Sequence, residues 1–348
     1  MKLQKGHIDG VDLARIIGAF GIVVFHFACY AMPLKPYLYE TANCPYGQIW
    51  VALFFALSGA CIARSNVDTG IWSFYKKRWM AVFPMFFIAY AVVFALKLVV
   101  WGYWWGAISW WTIPLTLVGM DSFFYYLCPN FCCIGEWFIG ALIVCYLLFP
   151  LLRKALTYIP YTTAIILLVG CAIVPYLDWF TIEPWHNLWV CTTIFYLGML
   201  LSQYPKIFTS KVSLIISALI AIIISVIPMP FKQFDVVAQI GYPIIAGISY
   251  FIVLTCLGAY LENSKRLKTF LSELSSISYP VFLVQHVVIF MVLNQWATPT
   301  ISPAFGILFM DIVLTMLLAY ILKMLHTQLH KKLRLEKQAQ EAEYVPIP

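Results

Sequence analysis

The sequence predicts an all-α fold, a polytopic membrane helix bundle of about ten transmembrane helices. Three observations carry the prediction. The 348 residues are 63% hydrophobic and only 11% charged, whereas soluble domains run at about 45–50% apolar and about 25% charged. Apolar stretches of about 20 residues, the length of one helical crossing, recur along the whole chain. The basic residues fall in every second connection between those stretches. Alternating segments of about ten residues, the mark of an outer-membrane barrel, are lacking.

The spans read as 11–32, 47–63, 80–101, 134–152, 161–177, 187–203, 212–229, 236–260, 277–296 and 303–325. With the N-terminus inside, the inner connections hold Arg64, Lys76, Lys77, Arg78, Arg153, Lys154, Lys206, Lys211, Lys265, Arg266 and Lys268. The outer connections hold only Lys35 and Lys232, with Lys97 near an outer helix end, where its long stem can snorkel. The positive-inside rule then puts both termini in the cytoplasm of a multi-pass protein of the cell inner (cytoplasmic) membrane. The net charge of +7 reflects that topology and does not point to nucleic acid. Residues 1–330 read as a membrane-embedded domain and 331–348 as a short cytoplasmic tail. Lys2 and Lys5 precede a long apolar run that is interrupted by charge and has no small-residue cleavage site, so no cleavable signal peptide is expected.

The first span carries Asp12, Arg15 and His26. Arg15 and His26 are eleven positions apart, three turns plus roughly 20°, so both lie on one face about 16 Å apart. Asp12 falls within roughly 40° of His26. Ionisable residues inside a membrane helix are costly unless they face protein or water, and they mark function. The plain alternative is that Asp12 and Arg15 pair locally at the helix end and that His26 is a structural histidine.

The second span holds Ser58 and Gly59 in FFALSG, which also suits small-residue helix packing. Residues 64–78 read as a basic connection ending FYKKRWMAVFP. Lys76, Lys77 and Arg78 suit either anionic lipid or a phosphate clamp, for which arginine supplies a fork and lysine a point charge. Pro84 is expected to loosen the third span and free backbone groups to line a cavity. Residues 102–133 form a long outer segment whose tryptophans, Trp104, Trp105, Trp110 and Trp111 among them, fit an interfacial belt or a sugar-stacking platform. Trp179 and Trp185, with Asp178, Glu183 and His186, allow the same two readings. Glu136 stands at the outer mouth of the fourth span before Trp137. His286 lies mid-membrane in the ninth span and Asp311 in the tenth, and each also suits an interhelical hydrogen bond. Six of the ten cysteines lie in spans as small apolar residues. Cys44, Cys128, Cys132 and Cys133 lie outside, where a disulfide is chemically possible. Their spacing does not suit zinc, and no metal site is expected.

A deep histidine, an arginine on its face and a basic cluster below suggest a tunnel. A phosphate-bearing cofactor enters from the cytoplasm and presents a thioester near His26. A neutral imidazole can take the proton of a hydroxyl that attacks a carbonyl, and Arg15 can position the donor or meet developing charge. From these residues alone, a proton-coupled transporter or exporter of a polysaccharide or small solute explains His26, Asp12 and Asp311 nearly as well. No inverted repeat of short broken helices is evident, which weighs against it.

The chain resembles the acyltransferase-3 family of integral membrane acyltransferases from about residue 7 to 325. Arg15, ten residues and then His26 look like the family's first-helix signature. FFALSG at 54–59, FYKKRWMAVFP at 74–84, WFIGALIVCYLLFPLL at 137–152 and SYPVFLVQH at 278–286 are similar to its later blocks. The resemblance implies transfer of an acyl group, usually acetyl from acetyl-CoA, onto hydroxyls of cell-surface carbohydrate or lipid-linked glycan. It implies His26 as catalytic residue with Arg15 as motif partner, and a cofactor contact at Arg78, with Lys77 or Arg64 beside it. Two departures stand out. Arg78 is followed by Trp79, Met80 and Ala81, so the second arginine of the family's basic pair is absent. Gly135 and Glu136 occupy the place of a histidine before Trp137. Glu136, Trp137 and His286 are the expected acceptor-side residues. The family's extra hydrolase-like domain has no counterpart in these residues.

Overall fold

The structure, a computed structural model, describes residues 3–65, 70–100, 110–120, 123–124, 137–177, 186–228, 236–296 and 300–343. Among them the chain is helical, and the one β pairing is an isolated bridge between Glu40 and Pro45. The principal helices are α1 (Val11–Tyr30), α2 (Tyr46–Ala63), α3 (Ile71–Val100), α4 (Trp137–Tyr158), α5 (Pro160–Ile173), α6 (Leu188–Leu201), α7 (Lys211–Val226), α8 (Val236–Leu261), α9 (Lys265–Ser275), α10 (Ser278–Gln295) and α11 (Ile301–Glu343). A helix satisfies its own backbone N–H and C=O groups, which is what an apolar chain without water requires.

Each predicted span coincides with a helix, but the lengths differ. Among the described residues seven helices, α1, α2, α3, α4, α8, α10 and α11, are long and apolar enough to cross a membrane. The apolar α5, α6 and α7 have 14, 14 and 16 residues, short of the usual crossing length. Their ends are set locally: Pro160 opens α5, Asn187 caps α6 through the Trp189 N–H, and Ser210 caps α7 through the Ser213 N–H. The outward faces of α5 and α7 are apolar, with Ile165, Val169, Ile215, Leu219 and Ile222 all exposed. Helices that are apolar on the outside as well as the inside belong in lipid.

Three connections expected from the sequence are helical. Lys76, Lys77 and Arg78 ride the first turns of α3, Arg153 and Lys154 the last turns of α4, and Lys265–Ser275 forms the amphipathic α9, which packs along α1. α3 runs unbroken through Pro84, and α4 and α8 through Pro150 and Pro243.

α2 is the hub. It packs against α1, α4, α6 and α8. Its approach to α6 depends on two glycines. A Cβ on Gly59 would lie 1.9 Å from the Phe195 carbonyl oxygen, and one on Gly198 would lie 1.9 Å from that of Ala56. Gly59 is therefore the packing residue that FFALSG suggested, and this frees the adjacent Ser58 to face elsewhere.

Candidate active site

Five blocks distant in sequence wall a single cavity of about 340 Å³ between α1, α2, α3, α4 and α10. α1 contributes Arg15. α2 contributes Phe54, Leu57, Ser58, Cys61 and Ile62, and α3 Arg78, Ala81 and Val82. α4 contributes Phe138, Ile139, Leu142, Ile143 and Tyr146, and α10 Ser278, Tyr279 and Phe282. The volume lies in the range of small-ligand sites, and a mostly apolar lining with a few convergent polar groups is typical of them. Pro84 is not part of the lining; Ala81 and Val82, one turn earlier, are. The Tyr279 hydroxyl donates to the Val82 carbonyl at 3.1 Å and ties α10 to α3 along that wall.

The two arginines stand at one end of the cavity, called here the basic end. Arg15 is held from two sides: Nη1 donates to Asp12 Oδ1 at 3.0 Å and Nη2 to Cys61 Sγ at 3.5 Å. The same Asp12 oxygen accepts from Ser275 Oγ of α9 at 2.6 Å, so the carboxylate is fixed before it fixes the arginine. Asp12 is buried, and its ion pair with Arg15 is local. Arg78 lies over the Phe74 ring, 5.8 Å from its centroid. Its buried Nε has no hydrogen-bond partner among the described residues. Arg78 shares a face of α3 with Val82, one turn on, which is why it reaches the cavity while Lys77, 100° round the helix, is exposed. Arg64 ends α2 and donates from Nη2 to the Lys5 carbonyl at 3.4 Å. Neither Lys77 nor Arg64 lines the cavity.

From the basic end the cavity climbs about 10 Å along α2, from Cys61 to Phe54. There the rings of Phe54, Phe138 and Phe282 close it, with Phe138 centred 6.1 Å from Phe54 and 5.3 Å from Phe282. His26 is beyond this aromatic ceiling and does not line the cavity. Its partner is His286, one helical turn after Phe282 on the same face of α10. The two imidazole centroids are 4.2 Å apart, and Phe290 stacks on His286 at 6.3 Å. Both histidines are half-buried. The helix count that put Arg15 and His26 on one face holds, but the histidine pair was not readable, because α1 and α10 are some 260 residues apart.

The remaining predicted residues separate. Trp137 packs on His186, ring centroids 4.0 Å apart, away from the cavity. Glu136, the tryptophans at 104 and 105, Asp178, Trp179, Glu183, Trp185, Cys128, Cys132, Cys133 and Lys232 lie outside the described residues, as do the side chains of Lys97 and Trp110. Cys44 is buried, with its thiol beside Thr41. Asp311 does not show the interhelical hydrogen bond expected of it. It is fully buried, and both carboxyl oxygens are without a hydrogen-bond partner among the described residues.

The helical bundle thus holds an internal chamber with two arginines at one end and two histidines past the other. The family model of the acyltransferase domain of the acyltransferase-3 family matches residues 8–324, nearly the whole chain. The chain belongs to that family, and its activity is that of a membrane acyltransferase. No curated protein and no solved structure matches it significantly.

Proposed function

We propose that this protein moves an acetyl or other short acyl group from acyl-CoA to a hydroxyl of a cell-surface carbohydrate or lipid-linked glycan, as a multi-pass protein of the cell inner membrane with both termini in the cytoplasm. The observation that supports this most is the cavity with Arg15 and Arg78 at its basic end and its ceiling one turn of α10 from the His26–His286 pair. The donor's phosphates sit toward Arg78, with Lys77 and Arg64 adding positive charge nearby, and its acyl arm runs up the apolar walls. The acceptor approaches from the opposite end, the side of His286, with Glu136 and Trp137 as its further proposed contacts.

His26 acts as general base. It takes the proton of the acceptor hydroxyl as the oxygen attacks the thioester carbonyl, the carbon–sulfur bond breaks, and the thiolate takes a proton from the imidazolium. Direct transfer is preferred to an acyl-histidine intermediate because His26 is needed as base at the moment of attack. His286, in ring contact with His26, holds that imidazole in position. The phenylalanine ceiling must part for donor and histidine to meet.

The test is thiol release from acetyl-CoA by the purified protein in lipid nanodiscs, with and without membrane glycans. Release that depends on acceptor and is lost in His26→Ala, with the variant still folded and inserted, is the expected result. Undiminished acetyl transfer by His26→Ala removes the centre of the proposal.

A further inference from the structure

A second cavity, of about 270 Å³, lies between the start of α3 and the last turns of α4. Ile71, Phe149 and Pro150 form its apolar floor, and Arg153, Lys154 and Tyr158 stand around it. Toward the first cavity it is shut. Phe74 and Phe149 are buried and stack with their centroids 4.8 Å apart, and the Tyr75 hydroxyl donates to the Leu147 carbonyl at 3.0 Å across the same seam. An occupant therefore enters from outside the bundle and not from the chamber.

The outer side of this basin runs into a lipid-facing surface. Leu147, Leu151, Lys154 and Tyr158 follow at spacings of four, three and four, so they form one stripe along α4. The two leucines are 56% and 65% exposed. Apolar side chains on the outside of a membrane helix belong against acyl chains. The stripe carries that apolar surface to Lys154, about 10 Å along the axis from Leu147. Arg153 is half-buried and lies one turn after Phe149, on the row that meets α3, whereas Lys154 is exposed. The two cations thus border the basin on its inner and outer sides. Trp72, which follows Ile71 on α3, and Tyr158 on α4 are both exposed, as aromatic side chains are at the level of lipid headgroups.

We propose that the basin is a site for an anionic phospholipid, with its phosphate between Arg153 and Lys154 and an acyl chain along Leu151 and Leu147. Arginine offers the phosphate a fork and lysine a point charge, and basic pockets between membrane helices suit anionic headgroups. The Thr157 hydroxyl donates to the Arg153 carbonyl at 2.9 Å, which leaves the phosphate to the two cations. The apolar floor takes the glycerol backbone and the first methylenes, surface that a soluble phosphate compound would leave uncovered. A lipid seated here spans α3 and α4 just outside the Phe74–Phe149 seam. It holds together the two helices that bring Arg78 and Tyr146 to the first cavity.

The experiment is native mass spectrometry of the whole chain released from nanodiscs of phosphatidylcholine alone or mixed with phosphatidylglycerol, with the midpoint of thermal unfolding as second readout. The wild type should retain phosphatidylglycerol in preference to phosphatidylcholine and unfold at a higher temperature when it is present. Arg153→Gln/Lys154→Gln should lose that preference by about tenfold or more, and the thermal gain with it. Lys154→Gln alone, at an exposed position, should lose about fivefold and decides the matter if the double variant does not fold. Lys206→Gln/Lys211→Gln, which removes two exposed cations near the start of α7, should change neither readout. Equal retention of the two lipids by the wild type, unchanged retention in the Arg153 and Lys154 variants, or an equal loss in the Lys206 and Lys211 variant overturns the proposal. Displacement of the lipid by adenosine 3′,5′-bisphosphate also overturns it, because the basin would then belong to a soluble nucleotide.

Discussion

His26 and His286 present their imidazole rings to each other at a centroid distance of 4.2 Å, although one comes from the first long helix and the other from the tenth. Two rings this close hold each other's orientation, so His286 positions the His26 imidazole. His286→Ala should therefore lower single-turnover acetyl transfer by about 10²-fold or more while leaving donor affinity intact. A His286→Ala enzyme with full turnover would confine His286 to packing.

Arg15 is positioned by Asp12, and Asp12 by Ser275. Asp12→Asn removes the charge that holds the guanidinium and should cost about 1.5–3 kcal/mol in that contact. The expected readout is a higher KM for the donor together with a lower midpoint of thermal unfolding. Ser275→Ala should move both in the same direction by less. Unchanged donor KM in Asp12→Asn would leave the pair as a helix anchor alone.

Ser58 faces the cavity while Gly59 faces α6. Ser58→Leu should fill part of the chamber, keep the fold and exclude longer acyl donors before acetyl. Acyl-chain competition experiments on this variant measure the effect directly, and an unaltered chain-length profile counts against the cavity as the acyl site.

Gly59→Ala and Gly198→Ala each place a methyl 1.9 Å from a backbone carbonyl oxygen of the facing helix, which cannot yield as a side chain can. Each should destabilise by about 1–3 kcal/mol or more, read as loss of monodisperse protein on heating in detergent. Gly241→Ala and Gly306→Ala, where nothing lies within 4 Å, are the controls and should be neutral or slightly stabilising.

Asp311 is buried with both oxygens lacking a hydrogen-bond partner among the described residues. Replacing an unsatisfied buried polar group by an apolar one of similar size is neutral or stabilising. Asp311→Leu should leave thermal stability equal or higher and transfer intact. Loss of transfer at unchanged stability would instead assign Asp311 a part in the proton path.

The sequence by itself determined the membrane class, the position of each apolar helix, and the common face of Arg15 and His26. These depend on composition and on the 3.6-residue period, both of which are local. It also marked the five blocks that meet at the cavity. It did not show that the basic turns at Lys76–Arg78 and Arg153–Lys154 are helical. Charged residues at a membrane boundary look alike in a loop and in a helix end, and only packing against neighbours decides between them. Nor did it show that α5, α6 and α7 stop short or that α9 is an amphipathic helix. Tertiary structure alone decided that Arg15 and Arg78 share a chamber, that His26 meets His286 above its ceiling, and that Trp137 turns to His186. Each depends on the rotation and depth of one helix against another, and in an apolar bundle these are set by close contacts such as Gly59 on Phe195, which no single segment carries.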